Sequence, residues 1–355
     1  MKTIIVVSEE IGLGGAERVL CELMEEWAKR GNKVILLQTS PEKYGHSYKL
    51  NEKIDNQVLY IKGNNGRGFR YIRESIALFR YLRKHPEATV IAFGNPSIGI
   101  VALSSRFLNN RIIFSERNNP IFCPNTKIKR KMRDIFFGWA DVCVFQTHQA
   151  MSLFPSKAQR HGVVIPNPIN PNIPVVCNPK KRKVIITACR LAAQKNLPLL
   201  IRAFEMLHQE YPDYTLEIYG TGEEENSLQC LINDLKIENY VKLKGHASNI
   251  YQIMMESSMY VCSSNYEGLS NSILEAMSLG LPVISTDHPI GGAREMITDH
   301  VNGILVPVDD VEALFAAMKY LVDTPEIAVK LGENAKKIRE RWPIEKIADL
   351  WLEII

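Results

Sequence analysis

Residues 3–17 of the chain read Thr3-Ile-Ile-Val-Val-Ser-Glu-Glu-Ile-Gly-Leu-Gly-Gly-Ala-Glu17. The run begins with a continuous apolar segment, which is typical of a strand buried on both faces of a parallel sheet. A glycine-rich turn follows, and over residues 14–29 the apolar side chains recur at helical spacing. Gly31 then ends the helix, and residues 33–38 predict a second strand. This order predicts a doubly wound α/β sheet with helices on both faces.

The same alternation continues on both sides of a proline-rich stretch. Residues 165–174 contain four prolines, which exclude a helix interior or a central strand, so we predict that this stretch links two domains. Before it, strands are predicted at 89–92, 112–115 and 142–145, and after it at 184–188, 215–219, 241–244, 259–263, 282–285 and 303–306. The sequence therefore predicts two Rossmann-like parallel-sheet domains, with ligands bound in the cleft between them, beyond the carboxyl ends of the strands.

The length of the chain agrees with this organisation, because 355 residues suit two domains of roughly 150–180 residues each. We predict an N-terminal domain at 1–170 and a C-terminal domain at 178–340. A last helix at 341–355 could pack on either domain, and we expect it on the N-terminal one.

Charge is distributed unequally along the chain. Residues 1–177 contain 25 Lys and Arg against 14 Asp and Glu, a net charge of +11, whereas residues 178–355 contain 18 against 25, a net charge of −7. The basic half is predicted to face an anionic partner, although solvated helix faces are the ordinary explanation for any single cation. Acidic lipid or a phosphorylated acceptor is favoured over nucleic acid, because no nucleic-acid-binding module is recognisable.

Cysteine usage and hydropathy favour a cytoplasmic protein. The seven cysteines are scattered without a CxxC pair, so neither a disulfide framework nor a zinc site is predicted. No apolar run approaches the ~20 residues that span a bilayer. The apolar start of the chain is too short, and too soon followed by acidic residues, for a signal peptide.

The glycine-rich turn at 12–17 is the first motif that could carry chemistry, because glycines there let backbone N–H groups approach a phosphate. A dinucleotide fingerprint would need glycine where Glu17 stands. It would also need an acidic residue after the second strand, which instead ends Leu37-Gln-Thr-Ser40. NAD binding is therefore disfavoured, and a tight turn without a ligand remains an alternative.

Two further motifs follow predicted strands of the second half. Arg190-Leu-Ala-Ala-Gln-Lys195 places two cations where a pyrophosphate would lie, with a plain basic loop as the alternative. Glu267-Gly-Leu-Ser-Asn-Ser-Ile-Leu-Glu275 opens a helix for which Ser270 or Asn271 is the expected N-cap. The first N–H groups of that helix can receive phosphate, and the two carboxylates can take hydroxyl groups of a sugar and a ribose. A capping box with a surface glutamate is the alternative.

Together these motifs resemble glycosyltransferase family 4, a large family of retaining enzymes with the GT-B fold. Glu267 and Glu275 have the Glu-x7-Glu spacing of that family. The other landmarks are Gly14-Gly15-Ala16-Glu17, Val164-Ile-Pro-Asn-Pro168, Arg190 with Lys195, Gly220-Thr-Gly222, Leu243-Lys-Gly-His246, and Gly291-Gly292 before Glu295. They keep the family's order over nearly the whole chain.

The resemblance implies a role for each matching residue. Glu275 would bind the ribose hydroxyls, and Glu267 would contact the transferred sugar. Arg190 and Lys195 would bind the diphosphate. The remaining donor contacts would come from Gly14, Gly15, Ser270 and Asn271 beside the phosphates, and from Gly220, Gly222 and His246 around the base. The family is usually metal-independent, so the cations and the helix start would take the place of Mg²⁺.

One position departs from the family. Many relatives have a histidine where Arg117 stands in the run Ser115-Glu-Arg-Asn-Asn-Pro120, and arginine cannot act as a general base. Either this position orients the sugar and phosphate, or the donor differs. Glu116, Arg117 and Asn118 are accordingly predicted to contact the sugar or the acceptor. The run also resembles bacterial surface-polysaccharide enzymes, including some that transfer galactose or N-acetylgalactosamine.

A basic helix is predicted from Lys127 onward. Its apolar face contains Ile128, Met132, Ile135, Phe136 and Trp139, and its cations Lys127, Lys129, Arg130 and Lys131 fall elsewhere. One interpretation is a core helix with a solvated basic face. The other is a helix that meets anionic lipid or a polyprenyl-diphosphate acceptor through Lys127, Arg130 and Lys131. Relatives that extend lipid-linked glycans carry a basic helix here, which this one resembles.

The resemblance predicts a retaining transferase that moves a hexose or N-acetylhexosamine from a UDP-sugar to a lipid-linked glycan. The setting would be capsule, exopolysaccharide or O-antigen synthesis, peripherally on the inner face of the membrane. The alternatives are a GT-B epimerase or phosphorylase and a non-catalytic sugar-nucleotide-binding subunit. The intact set of Arg190, Lys195, Glu267 and Glu275 disfavours the non-catalytic alternative.

Overall fold

The computed structural model describes residues 1–12, 14–39, 48–59, 67–174 and 181–355. The chain divides into two compact units. Unit 1 comprises Met1–Pro168 together with Ile344–Ile355, and unit 2 comprises Ile169–Pro343. No helix of the described residues is both long enough and apolar enough to span a bilayer.

Unit 1 contains a seven-stranded sheet in the order β3-β2-β1-β4-β5-β6-β7, and every neighbouring pair is parallel. Its strands are β1 (Thr3–Ser8), β2 (Lys33–Gln38), β3 (Ile54–Val58), β4 (Thr89–Phe93), β5 (Arg111–Ser115), β6 (Val142–Phe145) and β7 (Gly162–Val164). Its helices are α1 (Gly15–Lys29), α2 (Arg67–Leu82), α3 (Asn95–Ser105), α4 (Lys127–Phe137), α5 (His148–Ser152), α6 (Ser156–Arg160) and the last helix, α15 (Ile344–Ile354).

Unit 2 repeats this architecture with six parallel strands in the order β10-β9-β8-β11-β12-β13. The strands are β8 (Val184–Ala188), β9 (Thr215–Tyr219), β10 (Val241–Gly245), β11 (Met259–Cys262), β12 (Val283–Thr286) and β13 (Ile304–Val306). The helices are α7 (Leu197–Glu210), α8 (Glu225–Asp234), α9 (Ile250–Glu256), α10 (Asn271–Ser278), α11 (Gly292–Met296), α12 (Val311–Asp323), α13 (Pro325–Ala335) and α14 (Ile338–Arg341). The predicted pair of doubly wound parallel sheets is confirmed.

The first strand and helix follow the pattern that the sequence indicated. Residues 4–7 of β1 are fully buried, because the central strand of a parallel sheet is covered on both faces. Helix α1 turns Val19, Leu23 and Trp27 inward at helical spacing. Gly31, whose φ of 80° suits glycine, lies in the turn that follows α1. Strands β3 and β7 were not predicted: β3 is a polar edge strand, and β7 has only three residues.

The last helix completes the core of unit 1. Trp351 of α15 is fully buried, and its ring lies 5.8 Å from that of Trp27 and 6.1 Å from that of Phe93. Arg30 at the end of α1 also forms an ion pair with Asp349. The chain therefore returns to unit 1 after building unit 2.

Candidate functional site

The two strongest motifs of the second half meet at one edge of the unit 2 sheet. The segment with Arg190 and Lys195 follows β8, and the segment with Glu267 follows β11. Strands β8 and β11 are parallel neighbours, so their carboxyl ends, and the loops after them, lie side by side. The structure thus brings Lys195 and Glu267 together although 72 residues separate them.

Both carboxylate oxygens of Glu267 accept hydrogen bonds from neighbouring side chains. Lys195 Nζ forms an ion pair with Oε1, which also accepts a hydrogen bond of 2.7 Å from Ser264 Oγ. Gln194 Nε2 donates to Oε2 at 3.2 Å and to the carbonyl oxygen of Tyr266 at 2.8 Å. Both side chains of the ion pair are largely buried. The carboxylate and the ammonium are therefore fixed relative to each other before any ligand arrives.

The ion pair controls the charge of Lys195. Burial, the largest single cause, lowers the pKa of its ammonium group, but the attraction and hydrogen bond of Glu267, together with Cys262 and Cys189, raise that pKa above the ordinary value for lysine. Lys195 is consequently a permanent cation at neutral pH. Such a buried, oriented cation is suited to a phosphate group.

Hydrogen bonds of the backbone and of side chains join the two loops. The amide N–H of Asn265 donates to Gln194 O at 2.9 Å, and Ser263 Oγ donates to Lys195 O at 2.8 Å. Asn196 Nδ2 donates to Asn265 Oδ1 at 2.9 Å. The backbone of Asn196 is left-handed, with a φ of 43°. Asparagine adopts that conformation more readily than most residues, so it allows α7 to begin at Leu197, two residues after Lys195.

Helix α10 begins beside this ion pair. Ser270, one of the two residues predicted as its N-cap, takes that position with extended backbone, but its side chain accepts no hydrogen bond from the amides of the helix. Ser270 and Glu275 are both buried, and Glu275 lies about one turn beyond the helix start at Asn271. The first amides of a helix have no acceptor within it, so this start offers partial positive charge to an anion.

Glycines permit the neighbouring loops to approach the Arg190 segment. A Cβ at Gly220 would lie 1.8 Å from Cys189 O, and one at Gly222 would lie 2.1 Å from Leu191 O. The N–H of Leu191 meanwhile donates to Thr221 O at 2.9 Å. Both glycines are therefore required by packing, and their predicted contact with a base stays a prediction.

Arg190 and His246 are exposed and follow β8 and β10 at the same edge of the sheet. The N–H of Gly220 donates to Gly245 O at 2.8 Å, which ties the ends of β9 and β10 together. Arg190 has no carboxylate within ion-pair distance in the described part of the chain. Its predicted contact with the diphosphate stays a prediction.

The remaining predicted residues belong to unit 1. Gly14 is the N-cap of α1 and Gly15 its first residue, and both are exposed. Glu116 is buried, and its Oε1 accepts hydrogen bonds of 3.0 Å from the N–H groups of Arg117 and Asn118. Asn118 is exposed. This carboxylate shapes the turn after β5.

Arg117 is buried inside unit 1. Its Nη1 donates to Asn167 Oδ1 at 3.0 Å, and its guanidinium carbon lies 4.3 Å from the ring centre of Phe93 and 5.4 Å from that of Trp351. Burial lowers its pKa to about 9, so the group stays charged at neutral pH. The observed contacts are those of a packed cation, and contact with a sugar or acceptor stays a prediction.

Helix α4 differs from a core helix in the face that it buries. Its buried residues are Arg133 and Phe137, whereas Ile128 is 75% exposed and both Met132 and Ile135 are 48% exposed. Ile128, Met132 and Ile135 of the predicted apolar face therefore do not face the core, whereas Phe136 packs against it. Lys127 and Lys131 are exposed too, while Arg130 is half-buried and donates to Pro124 O at 2.8 Å.

Apolar side chains are also exposed on the neighbouring helix α3 and just after it, which the sequence did not indicate. Leu103 of α3 is 53% exposed, and Phe107, just after α3, is 89% exposed. Helices α3 and α4 pack against each other. We call the set Leu103, Phe107, Ile128, Met132 and Ile135 the apolar surface of unit 1. Exposed apolar groups on two packed helices, bordered by lysines, are typical of a surface that meets a partner.

Comparison with known proteins identifies the class. Residues 170–338 match the family model "Glycosyl transferases group 1", and residues 13–173 match "Glycosyltransferase Family 4". Together with the two parallel sheets, these matches define a glycosyltransferase with the GT-B fold. The chain belongs to glycosyltransferase family 4.

Relatives and solved structures agree with this assignment. An uncharacterized glycosyltransferase of Haemophilus influenzae is 25% identical over 349 residues, which cover 96% of each chain. A Campylobacter jejuni N-acetylgalactosaminyltransferase that is named for a diphospho-undecaprenol substrate is 33% identical over 168 residues, 47% of this chain and 45% of that enzyme.

Among solved structures, sucrose-phosphate synthase of Thermosynechococcus elongatus has a TM-score of 0.86 at 16% identity, covering 100% of this chain and 98% of that one. HepE of Anabaena, in complex with UDP and glucose, has a TM-score of 0.82 at 17% identity, covering 99% of each chain. These two likenesses concern the fold.

Proposed function

We propose that the chain is a retaining transferase that moves a hexose or N-acetylhexosamine from a UDP-sugar to a lipid-linked glycan. The observation that carries the proposal is the ion pair of Lys195 and Glu267, fixed beside the start of α10 at the carboxyl edge of the unit 2 sheet. Solved relatives support the donor class, since HepE is described with UDP and glucose and pneumococcal GtfA with UDP and GlcNAc.

Each residue of this edge has a part in the proposed reaction. Lys195 and Arg190 bind the diphosphate, with the amides of Ser270 and Asn271 at the start of α10. Glu267, whose carboxylate is already oriented by Ser264 and Gln194, binds the sugar hydroxyls. Glu275, about one turn along the helix, binds the ribose. His246 completes the proposed donor contacts of this edge, and those of Gly14 and Gly15 in unit 1 stay predictions.

The proposed chemistry is a displacement at the anomeric carbon. The bond to the diphosphate oxygen breaks while the acceptor hydroxyl oxygen bonds to the same carbon from the leaving-group face. The hydroxyl proton passes to the departing phosphate oxygen. Negative charge grows on the diphosphate as this bond breaks, so fixed cations stabilise the transition state more than the bound donor. The proposed reaction requires no metal ion.

Nucleotide binding tests the donor site. We expect UDP to raise the melting temperature, with GDP and ADP giving smaller shifts, because a ligand stabilises the folded state by mass action. Glu275→Ala should weaken UDP binding about tenfold in calorimetry, equivalent to roughly 1.4 kcal/mol, through loss of the ribose contact. Glu326→Ala, at an exposed glutamate of α13, is the matched control. Unchanged affinity in Glu275→Ala would contradict the ribose contact.

We further propose that the apolar surface of unit 1 docks on an anionic membrane. Apolar groups exposed on two packed helices would enter the acyl boundary, while Lys127 and Lys131 beside them meet anionic headgroups. A lipid-linked acceptor lies at such a boundary, and the Campylobacter relative is named for a diphospho-undecaprenol substrate.

Vesicle binding tests this surface. We expect Lys127→Glu with Lys131→Glu to weaken binding to phosphatidylglycerol vesicles at low salt at least tenfold, since each lysine near an anionic surface contributes about 1 kcal/mol. Lys33→Glu with Lys53→Glu is the control, because it makes the same change in charge at exposed positions of β2 and before β3. Phe107→Ser should also weaken binding. If both charge-reversed proteins lost vesicle binding equally, the effect would be one of net charge, and the proposed docking surface would be rejected.

A further inference from the structure

A cavity of unit 2 lies away from the proposed donor site. It has a volume of about 390 Å³, which is large enough for a small organic ligand. Lys183, Tyr214, Met259 and Pro282 line it, at the amino ends of β8, β9, β11 and β12. Lys195 and Glu267 follow the carboxyl ends of β8 and β11, about 15 Å away along strands that rise roughly 3.3 Å per residue. The cavity is therefore a separate site.

The walls of this cavity are mainly apolar. Leu321 and Val322 come from α12, Val329 from α13, and Leu279 follows α10. Tyr214 adds an aromatic ring. An apolar body would be stabilised here by about 25 cal/mol for each Å² that it removes from water.

The charges that line the cavity are predominantly positive. They are Lys181, Arg182, Lys183 and Lys336 against the single carboxylate of Glu333. Three of these cations already have carboxylate partners: Arg182 pairs with Glu217 and Glu256, Lys183 with Asp213, and Lys336 with Glu333.

Lys181 is the exception. Its Nζ donates to Met255 O at 2.7 Å, and no carboxylate of the described residues lies within ion-pair distance of it. Burial, and then the neighbouring charge of Lys336, lower the pKa of its ammonium group to about 8. The residue is nevertheless exposed to solvent at the wall of the cavity, so its ammonium group can pair with an anion that enters it.

We propose that this cavity binds an amphipathic anion, a carboxylate or phosphate attached to an apolar chain, with the anionic group on Lys181. The apolar walls receive the chain, and the ammonium group of Lys181 receives the head. Neither half alone satisfies the cavity, because an alcohol leaves Lys181 without a counter-ion and a free phosphate leaves the walls empty. The site is independent of the proposed donor chemistry.

Calorimetry on the full chain tests this site with octyl phosphate and octanoate, both below their micelle concentrations. We expect at least one of them to bind with a stoichiometry of one. Octanol and inorganic phosphate should each bind at least tenfold more weakly than the better anion. Absence of saturable binding by both anions, or equal binding of octanol, would overturn the proposal.

Three variants then locate the binding. Lys181→Gln should weaken binding of the anion at least fivefold, whereas Lys330→Gln, at an exposed lysine of α13 outside the cavity lining, should leave it unchanged. Val329→Asp places a negative charge at an exposed wall position, so it should also weaken binding without unfolding α13. Wild-type affinity in both Lys181→Gln and Val329→Asp would overturn the proposal. UDP affinity should not change in any variant, which separates a failure here from a failure of the proposed donor site.

Discussion

Replacement of Lys195 by Gln is expected to lower turnover of sugar transfer about a hundredfold, equivalent to roughly 2.7 kcal/mol of transition-state stabilisation. The ammonium group is largely buried, oriented by Glu267, and kept charged by the raised pKa that this carboxylate causes. Its attraction to the diphosphate increases as the glycosidic bond breaks. The main effect should therefore fall on kcat rather than on the affinity for UDP.

Release of UDP from candidate UDP-sugars is the measurement for this prediction. Lys242→Gln, at an exposed lysine of β10, is the control and should retain wild-type turnover. Near-normal turnover in Lys195→Gln would reject the assigned role. A wild-type protein that binds UDP but transfers none of the sugars to lipid-linked glycans would favour the non-catalytic alternative instead.

A double-mutant cycle separates the direct effect of Lys195 from its effect on Glu267. Removing Lys195 alone leaves the Glu267 carboxylate with Ser264 and Gln194 as its hydrogen-bond donors. If the lysine acted only by orienting Glu267, then Lys195→Gln would cause no further loss in a Glu267→Gln background. We expect a further loss of at least tenfold, because the proposed contact with the diphosphate does not depend on Glu267.

Trp351→Ala is expected to lower the free energy of unfolding of unit 1 by about 3–5 kcal/mol, the usual cost of truncating a fully buried large aromatic side chain. Trp351 packs against the rings of Trp27 and Phe93, and the guanidinium group of Arg117 lies over the ring of Trp351. Its loss would leave a cavity between α1 and α15. It would also remove one aromatic face from a buried cation.

Urea unfolding followed by circular dichroism and by hydrogen exchange of the β1 amides is the measurement. Trp139→Ala is the matched control, because that tryptophan is 38% exposed and its loss should cost much less. Similar losses of stability in the two variants would contradict the central place of α15 in the core of unit 1.

The basic helix shows where local pattern stops being informative. Periodicity correctly indicated that α4 is amphipathic, since Ile128, Met132 and Ile135 share a face. Whether such a face meets the core or solvent depends on where the neighbouring helix lies. Helix α3 packs on α4, and a single-element pattern cannot indicate such a contact.

Arg117 is a second residue whose surroundings the local sequence pattern did not indicate. The run around it resembled a ligand-binding loop, and nothing local indicated that Phe93 and Trp351 would lie over its guanidinium group. Trp351 lies in the last helix, which follows all of unit 2 in the sequence. The packing of this cation is therefore decided by the chain returning to unit 1.

By itself the sequence determined most of the strands and their order, because buried-strand runs and glycine turns are local properties, whereas the polar edge strand β3 and the three-residue β7 carry no such signal. It also indicated the motif residues at the ends of β8 and β11. Only the tertiary structure decided which of them meet. Lys195 contacts Glu267 because β8 and β11 become neighbours, and Lys181 lines a cavity formed by segments distant in the chain. Such contacts depend on how elements pack, and packing is a property of the whole fold rather than of any one segment.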